Sequence, residues 1–482
     1  MLSEDILYLS AGELGRRIRR GEFSPVELTE SYLHRLETLG PKLGAAITVT
    51  RELGLEQARQ AEKDLSAGNW RGPLHGVPFG AKDLLAARGI PCTWGAPPYK
   101  DQVFDFDATV IRKLREAGAV LIAKLAMIEL AGGGGYSNGK ASLVPTFNPW
   151  DTTRWAGGSS SGSGAATAAA LVGFAIGSET WGSILTPSSF CGVSGLRPTY
   201  GRVSRHGAMA LSWTMDKLGP MCRSAEDCGL VLEAIAGHDP EDPGSADAPF
   251  KYLAGETWLH GPHIGAVKTD APVGALLRGL RIGWIKEDFE KNGQPEVEPL
   301  YAAALEVLRG LGAEVREVNL PDFPYGTIAS QVISAEGATC FADLIRSGRV
   351  NELVDERQAK GLSGGLDVKA ADYLRAMQIR RLIQQAMAKV YNEADLLVSP
   401  SLLFVSNPMD ADLNTVFRGG SGIGAAGNLC GLPGLGVNMG FVNGLPVGLT
   451  FVGRPFDEAT VLRAGRAYQQ ATDWHTRRPP VT

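Results

Sequence analysis

The chain has 482 residues, 44% of them hydrophobic, and a formal net charge of −5. This composition supplies a large core and lacks the basic footprint of a nucleic-acid-binding protein. The length allows about three domains or one large α/β unit. No Cys-x-x-Cys pair occurs, so we expect a reducing compartment. The N-terminus carries no apolar leader, and the longest apolar run, 165–177, is too short to span a membrane. We therefore expect a cytoplasmic protein without membrane contact.

Helix and strand signals alternate along the chain. Ser24, Pro25 and Glu27 form a capping-box pattern that predicts the start of a helix, and Gly40 is its predicted end. Short apolar runs predict strands at 76–82, 119–125, 171–179, 280–285, 313–320, 395–400 and 446–453. Helical patterns occur at 106–117, 162–172, 225–236, 296–311, 368–392 and 457–471. This order predicts an α/β fold: a single large α/β/α domain with a central mixed β-sheet covered by helices on both faces.

The segment 237–275 interrupts this alternation. It is rich in Pro, Gly, Ala and Asp, and it is too long for a plain loop in a compact domain. Strand-like runs on both sides of it look like parts of one sheet. We therefore interpret it as a variable insertion or cap within one domain of residues 1–482. Whether it acts as a lid or is passive stays open.

Cofactor and metal signals are weak. The stretch 134–141 nearly matches a phosphate-binding loop, but Ala141 stands where a hydroxyl would bind Mg²⁺. The glycines of 131–139 are more typical of a main chain packed close to another group. His260 and His263 are the one close histidine pair, and no carboxylate stands at ligand spacing. We expect neither a cofactor nor a metal.

The serine-rich stretch RWAGGSSSGSGAATAAA (154–170) suggests nucleophilic chemistry. Within it, GSSSG fits the G-x-S-x-G nucleophile elbow of a Ser-His-Asp α/β-hydrolase, with Ser160 at its centre. That elbow needs a strand immediately before it, whereas NPWDTTRWAG is typical of a loop. The hydrolase also needs a later acid and histidine. It is kept as an alternative.

A serine enzyme can also use a neutral lysine as its base. Lys82 lies in apolar, glycine-rich surroundings near the end of a predicted strand, where burial would lower its pKa. Ser183 follows Gly182 at the end of another predicted strand, where turn amides can stabilise an oxyanion. Spacing alone does not show that Lys82 and Ser183 are catalytic. Most lysines in such contexts lie on the surface, and most serines in glycine turns are ordinary turn residues.

Several long motifs, in order, resemble the amidase signature family. They are GVPFGAKD, NPWDTTRWAGGSSSGSGAA, GSETWGSI, GVSGLRPTYGRVSRHG, DKLGPM, EADLLVSPS and GLPVGLTFVGRPFDEATVL. The resemblance covers about residues 5–480. It implies an amide hydrolase with a Ser-Ser-Lys triad. In that triad Lys82 is the base, Ser159 is the bridging serine after a cis peptide bond, and Ser183 is the nucleophile that forms an acyl-enzyme.

The resemblance also implies an oxyanion hole of main-chain amides at Thr180, Trp181, Gly182 and Ser183. We assign substrate binding to the glycine loop and the indole, that is Gly132, Gly133, Gly134 and Trp181. Two positions depart from the family pattern. Trp181 replaces the usual glycine, and its side chain either lines the cleft or simply packs. Leu185 replaces a frequent arginine, which makes an anionic substrate less expected.

We first expect an amidase acting on a small-molecule C–N amide bond, with carbamate, anilide and ester bonds as further candidates. The expected partner is that small molecule, with no nucleic acid and no membrane, and with a homodimer left open. The alternative is the A subunit of a glutamine-dependent tRNA amidotransferase, which hydrolyses glutamine and passes ammonia to a partner. GLRPTYGRVSRHG resembles that branch, whereas Trp181 and Leu185 depart from it.

Overall fold

A computed structural model describes residues 1–132, 140–252, 273–285, 293–416 and 422–481. Its strands are β1 (Ala46–Val49), β2 (Pro78–Lys82), β3 (Val120–Leu125), β4 (Phe147–Asn148), β5 (Asp151–Trp155), β6 (Phe174–Glu179), β7 (Ser194–Arg197), β8 (Lys217–Cys222), β9 (Arg281–Trp284), β10 (Glu314–Glu317), β11 (Leu396–Pro400), β12 (Gly434–Val442) and β13 (Leu445–Val452).

Within these ranges, 11 strands form one sheet in the order β1-β3-β2-β6-β8-β7-β12-β13-β11-β9-β10. The sheet is mixed, as predicted. β2 runs parallel to β3 and β6, and β9 runs parallel to β10 and β11. The remaining pairs are antiparallel. β4 and β5 form a separate hairpin.

The helices lie between and around these strands. They are α1 (Glu4–Leu7), α2 (Ala11–Arg19), α3 (Pro25–Leu43), α4 (Arg51–Ser66), α5 (Thr109–Glu116), α6 (Ser161–Ala168), α7 (Leu185–Cys191), α8 (Ala225–Ile235), α9 (Glu298–Gly310), α10 (Tyr325–Cys340), α11 (Ala342–Arg346), α12 (Glu356–Gly365), α13 (Ala370–Val390), α14 (Leu413–Val416), α15 (Gly422–Leu429) and α16 (Glu458–Ala471).

Both faces of the sheet are covered. Every residue of β2, β3, β6, β7, β8, β11 and β13 is buried. Because successive side chains of a strand point to opposite faces, full burial requires packing on each side. The predicted α/β/α architecture is thus confirmed. Within the described ranges, no helix has the length and apolar character needed to cross a membrane.

The start of α3 is confirmed and its predicted end is wrong. The Ser24 hydroxyl accepts from the Glu27 amide at 3.1 Å, and the Glu27 carboxylate accepts from the Ser24 amide at 2.8 Å. The helix continues through Gly40 to Leu43, and Gly44, which has φ of 58°, is its C-cap. A side chain at Gly44 would also lie 2.0 Å from the carbonyl oxygen of Pro145. The left-handed conformation and this close contact explain why Gly44, not Gly40, ends the helix.

Candidate active site

Two neighbouring parallel strands bring the candidate residues to one edge of the sheet. Lys82 is the last residue of β2, and β6 ends at Glu179, just before the turn that carries Ser183. β2 and β6 are hydrogen-bonded in parallel, with Ala81 opposite Ile176. Because parallel strands end at the same edge of a sheet, the lysine and the serine turn share this edge.

Lys82 is fully buried and is held by hydroxyl groups. Its Nζ lies 2.7 Å from Ser159 Oγ and 2.8 Å from Ser178 Oγ. Burial lowers the pKa of this amine to about 7, because the charged form loses its hydration, and the charges of Asp216 and Glu179 oppose this effect. Much of the amine is therefore uncharged at neutral pH and can accept a proton from a hydroxyl.

Asp83, the next residue, turns away from this group. Its carboxylate accepts from Lys124 Nζ at 2.8 Å and from the Thr93 amide at 2.8 Å. Successive residues of an extended chain point to opposite faces, which places this ion pair away from Lys82. Lys82 thus has no direct carboxylate partner among the described residues.

The serine-rich loop supplies the hydroxyl next to the lysine. Ser159 is fully buried and follows a cis peptide bond at Gly158–Ser159. Its carbonyl oxygen accepts from the Ile128 amide at 3.0 Å. Ser160, the centre of the G-x-S-x-G pattern, is bonded to the main chain of Ser178 instead, donating at 3.1 Å and accepting at 3.2 Å. This arrangement does not fit the nucleophile role that the Ser-His-Asp alternative gives Ser160.

Glycines allow the serine loop to lie close to the sheet. A Cβ at Gly162 would lie 2.3 Å from the Ala45 carbonyl oxygen and 2.5 Å from the Ala126 amide nitrogen. A Cβ at Gly177, on β6, would lie 2.9 Å from Ser160 Oγ. Side chains at these positions would push the serine segment away from the ends of β1 and β3 and away from β6. The glycines of GGSSSG and GSETWG therefore serve close packing.

The turn after β6 is held by a buried carboxylate. One oxygen of Glu179 accepts from the amides of Ile184 and Leu185 at 2.9 and 3.0 Å. The other accepts from Arg197 at 2.9 Å. Burial alone would raise the pKa of Glu179, but the positive charges of Arg197 and Lys217 and these hydrogen bonds lower it to about 2. Glu179 is thus a fixed anion that anchors the chain directly after Ser183.

The amides of this turn are available to a ligand. Gly182 has φ of 87°, a conformation that favours glycine. Within the described parts of the chain, the amides of Trp181, Gly182 and Ser183 donate to no protein acceptor. Ser183 is 4% exposed, and its carbonyl oxygen accepts from the Ser160 amide at 3.2 Å. Three consecutive free amides beside a serine hydroxyl can stabilise a negatively charged oxygen.

The two departures from the family pattern have apolar surroundings. Trp181 is partly buried and packs against the cluster that contains Met215 and Ile328. A methyl group at Gly326, in α10, would lie 3.5 Å from the Trp181 indole. Leu185 is 6% exposed. The indole therefore packs against α10 while part of its surface stays accessible.

A cavity of about 200 Å³ lies beside the site. Ser178 and Thr180 form part of its wall, and the rest includes the apolar side chains Leu84, Ala131, Met209, Leu211 and Leu218. Arg205 and Asp242 also line it and form an ion pair with each other at 3.0 Å. Asp216 and Glu241 line the cavity as well, so it offers both apolar surface and carboxylates.

The predicted glycine loop is only partly described. A Cβ at Gly132 would lie 2.1 Å from Nε2 of Gln358, so this glycine packs against α12. Gly133 and Gly134 lie outside the described residues, as do 253–272 of the 237–275 segment. The substrate-binding role of the loop and the insertion at 237–275 stay predictions. The roles of the three triad residues stay predictions as well, because the structure joins Lys82 to Ser159 but shows no hydrogen bond between the described side chains of Ser159 and Ser183.

Sequence reasoning missed Ser178 and Glu179 as parts of the site. Both lie in the quoted motif GSETWGSI, but their contacts depend on which strands are neighbours. Ser178 reaches Lys82 because β6 pairs with β2. A signal for both was present in the sequence: if the predicted strands that end near Lys82 and Glu179 are taken as parallel neighbours, the side chains near both ends become candidates for the site.

Comparison with known proteins assigns the family. The family model described as Amidase matches residues 27–462. The chain belongs to the amidase signature family. The Ser-Ser-Lys triad is the feature of this family, so the protein is an amide-cleaving enzyme or amidotransferase, as predicted.

Relatives along the whole length share one name. The A subunit of glutamyl-tRNA(Gln) amidotransferase from Methylococcus capsulatus is 38% identical over 97% of this chain and 98% of its own. Its counterpart from Chloroflexus aggregans is 39% identical over 99% of both chains. Among solved structures, peptide amidase of Stenotrophomonas maltophilia has a TM-score of 0.83 and 32% identity over 98% of both chains.

These names contradict the predicted partners. We expected a small-molecule substrate and no nucleic acid, whereas the relatives are named as part of an enzyme that acts on a tRNA. The prediction rested on the charge of the chain. Net charge describes one chain by itself, and it cannot exclude RNA contact made by an assembly to which that chain belongs.

Proposed function

We propose that this amidase family member cleaves an amide C–N bond through an acyl-enzyme on Ser183. The observation that carries the proposal is the 2.7 Å contact between Lys82 Nζ and Ser159 Oγ, at the edge of the sheet where the Ser183 turn begins. Neutral Lys82 accepts the proton of Ser159, and Ser159 accepts the proton of Ser183. The Ser183 oxygen then bonds to the amide carbon, and the carbonyl electrons move onto its oxygen.

The free amides of the turn complete this step. The amides of Trp181, Gly182 and Ser183 donate to the oxyanion, and the Thr180 amide is the fourth donor that the resemblance implies. Such donors act on charge that develops only in the transition state. When the C–N bond breaks, Ser159 passes a proton to the departing nitrogen and regains one from Lys82. Water then gives a proton to Lys82 through Ser159 and bonds to the acyl carbon. The bond to Ser183 breaks, the Ser183 oxygen regains a proton from Lys82 through Ser159, and the acid leaves.

A serine-directed reagent tests this assignment without knowledge of the substrate. Phenylmethylsulfonyl fluoride should add one sulfonyl group to the wild type, located at Ser183 by peptide mass spectrometry. Ser183→Ala should lose the label. Ser163→Ala is the matched control, because Ser163 is also a buried serine bonded to β6, at 3.1 Å from the Ile176 carbonyl oxygen. Equal labelling of Ser183→Ala and wild type would refute the nucleophile.

Glutamine is the first candidate amide donor. The relatives named above carry the name of the A subunit of glutamyl-tRNA(Gln) amidotransferase and match nearly the whole of this chain. On this hypothesis the nitrogen that leaves Ser183 is ammonia, and an acceptor on a partner assembly uses it. Ammonia release from glutamine, abolished in Ser183→Ala, would support it.

An apolar amide, anilide, carbamate or ester is the second candidate. The accessible part of Trp181, the buried Leu185 and the apolar side chains of the cavity wall favour it, because these side chains offer apolar contacts and no charge. The 32% identity to a peptide amidase is in line with it. Two anilides that differ in the acyl group, one aromatic and one acetyl, test this candidate. Trp181→Gly should change the ratio of their kcat/KM values. An unchanged ratio, together with glutamine hydrolysis by the wild type, would refute the apolar substrate and support glutamine.

A further inference from the structure

Thr180, the residue before the free amides, is held at two points by consecutive residues. Its hydroxyl donates to Asp216 Oδ1 at 2.6 Å. Its carbonyl oxygen accepts from Lys217 Nζ at 3.2 Å. Lys217 is the first residue of β8 and lies directly opposite Glu179 in the antiparallel pair of β6 and β8. The start of β8 thus fixes both the side chain and the carbonyl group of Thr180.

The carbonyl of Thr180 belongs to the same peptide group as the amide of Trp181. This peptide is trans, since the cis bond recorded in the described chain is Gly158–Ser159. In a planar trans peptide the C=O and N–H bonds point in opposite directions. Fixing the carbonyl oxygen therefore fixes the direction of the Trp181 N–H. A donor to the oxygen also polarises the peptide and strengthens its N–H as a donor.

Lys217 is suited to this contact by its surroundings. Its side chain is 2% exposed, and its Nζ also donates to Asn428 Oδ1 at 2.7 Å. Asn428 in turn donates to Glu179 at 3.0 Å, which joins the amine to the carboxylate that anchors the turn. Burial lowers the pKa of Lys217 well below its usual value. The amine donates to both of these oxygens, so two contacts fix its position.

We propose that Lys217 is a positioning residue for the oxyanion hole, because its bond to the Thr180 carbonyl aims the Trp181 amide at the developing oxyanion. The inference rests on the proposed acyl transfer at Ser183. It assigns a role to a buried lysine that the proton path through Lys82 does not use. Lys217 touches no reacting atom, so its effect should concern the transition state and leave substrate binding nearly unchanged.

Lys217→Met tests the inference, because methionine keeps most of the volume and removes the donor. With a 4-nitroanilide substrate, kcat should fall about 10- to 100-fold while KM changes less than about threefold, since losing an oxyanion donor costs about 10²–10³ and a misaligned donor costs less. Phenylboronic acid, which forms a tetrahedral adduct on serine, should bind more weakly by a similar factor. Lys217→Gln keeps a donor and should recover part of kcat.

Lys113→Met is the matched control. Lys113 Nζ also donates to a main-chain carbonyl, that of Ala236 at 2.7 Å, at the end of α8. This variant should keep kcat and boronate affinity. Equal kcat and boronate affinity in Lys217→Met and wild type would overturn the inference, as would a loss confined to KM. Labelling of Ser183 separates failure of the Lys217 inference from failure of the proposed function. The proposed function fails only if Ser183→Ala keeps the label.

The wild-type protein gives a second measurement if the variants do not fold. In a crystal structure of the phenylboronate adduct, a boronate oxygen should lie within about 3.1 Å of the Trp181 nitrogen. Lys217 Nζ should still contact the Thr180 carbonyl oxygen in that structure. A boronate oxygen without contact to the Trp181 amide, or a Thr180 carbonyl turned away from Lys217, would overturn the inference.

Discussion

Replacing the buried base should make the protein more stable at neutral pH. Burial lowers the pKa of Lys82 from near 10.5 to about 7, so at pH 7 the folded state holds this amine at a cost of about 4 kcal/mol relative to the unfolded chain. Methionine in its place avoids this cost but leaves Ser159 and Ser178 without their amine partner, at about 1 kcal/mol each. Lys82→Met should therefore be inactive and about 2 kcal/mol more stable at pH 7.

The sign of the pH dependence follows from the direction of the shift. Between pH 7 and about 10 the unfolded chain keeps the lysine proton that the folded chain has released, so the stability of the wild type rises with pH. The advantage of Lys82→Met should be largest below pH 7 and vanish near about pH 9. Above that pH the lost hydrogen bonds should make the variant the less stable protein.

Thermal unfolding at pH 6, 7.5 and 9 measures this effect. A gain of about 2 kcal/mol corresponds to roughly 2–4 °C for a chain of this size. Lys124→Met is the matched control, since Lys124 is an equally buried lysine whose ion pair with Asp83 is 2.8 Å long. Its loss leaves a buried carboxylate alone and should destabilise by about 3–5 kcal/mol. A Lys82→Met variant that melts below wild type at pH 6 would refute the reasoning.

Three further predictions concern the same edge of the sheet. The kcat/KM of the wild type should rise with pH to a midpoint near 7, and Asp216→Asn should move that midpoint to lower pH, because the carboxylate raises the pKa of Lys82; a midpoint that moves upward would contradict it. Gly162→Ala should lower the free energy of unfolding by about 2 kcal/mol or more, since its Cβ would lie 2.3 Å from a carbonyl oxygen, whereas Gly361→Ala, with open space around it, should be neutral or stabilising; urea unfolding compares them, and equal stability would count against the close packing. Glu179→Gln should destabilise by about 3 kcal/mol in the same assay, because glutamine offers one acceptor oxygen where the carboxylate uses both; a variant as stable as wild type would argue against a fixed anion.

The sequence predicted the parts of the fold that carry strong local patterns. The apolar runs of β2, β3 and β6 are obvious because these strands are buried on both faces. β8 was missed, since its sequence KLGPMC contains Gly and Pro, which are unusual inside strands. The antiparallel place of β8 beside β6 is a long-range property, so the contacts of Thr180 with the start of β8 could not be read from the chain.

The candidate site was predicted in outline for a similar reason. Lys82 and Ser183 stand near the ends of recognisable strands, and the family resemblance joined them to Ser159. The pKa of Lys82 is lowered by burial under distant segments of the chain, and its contact with Ser178 depends on the pairing of β2 with β6. The orientation of the Trp181 side chain depends on α10, about 145 residues later in the chain, whose pattern the sequence analysis did not assign.

Three buried lysines near this edge show what distinguishes a base from a structural cation. Lys124 contacts a carboxylate directly, so its ammonium form is compensated by Asp83. Lys217 bridges a carbonyl and an amide oxygen, which suit a donor that moves no proton. Lys82 contacts hydroxyl groups, one of which can give up a proton to it. All three are lysines within strands, and the sequence around each is apolar. Their partners, not their burial, therefore determine which amine can take part in proton transfer, and those partners come from strands and loops far apart in the chain.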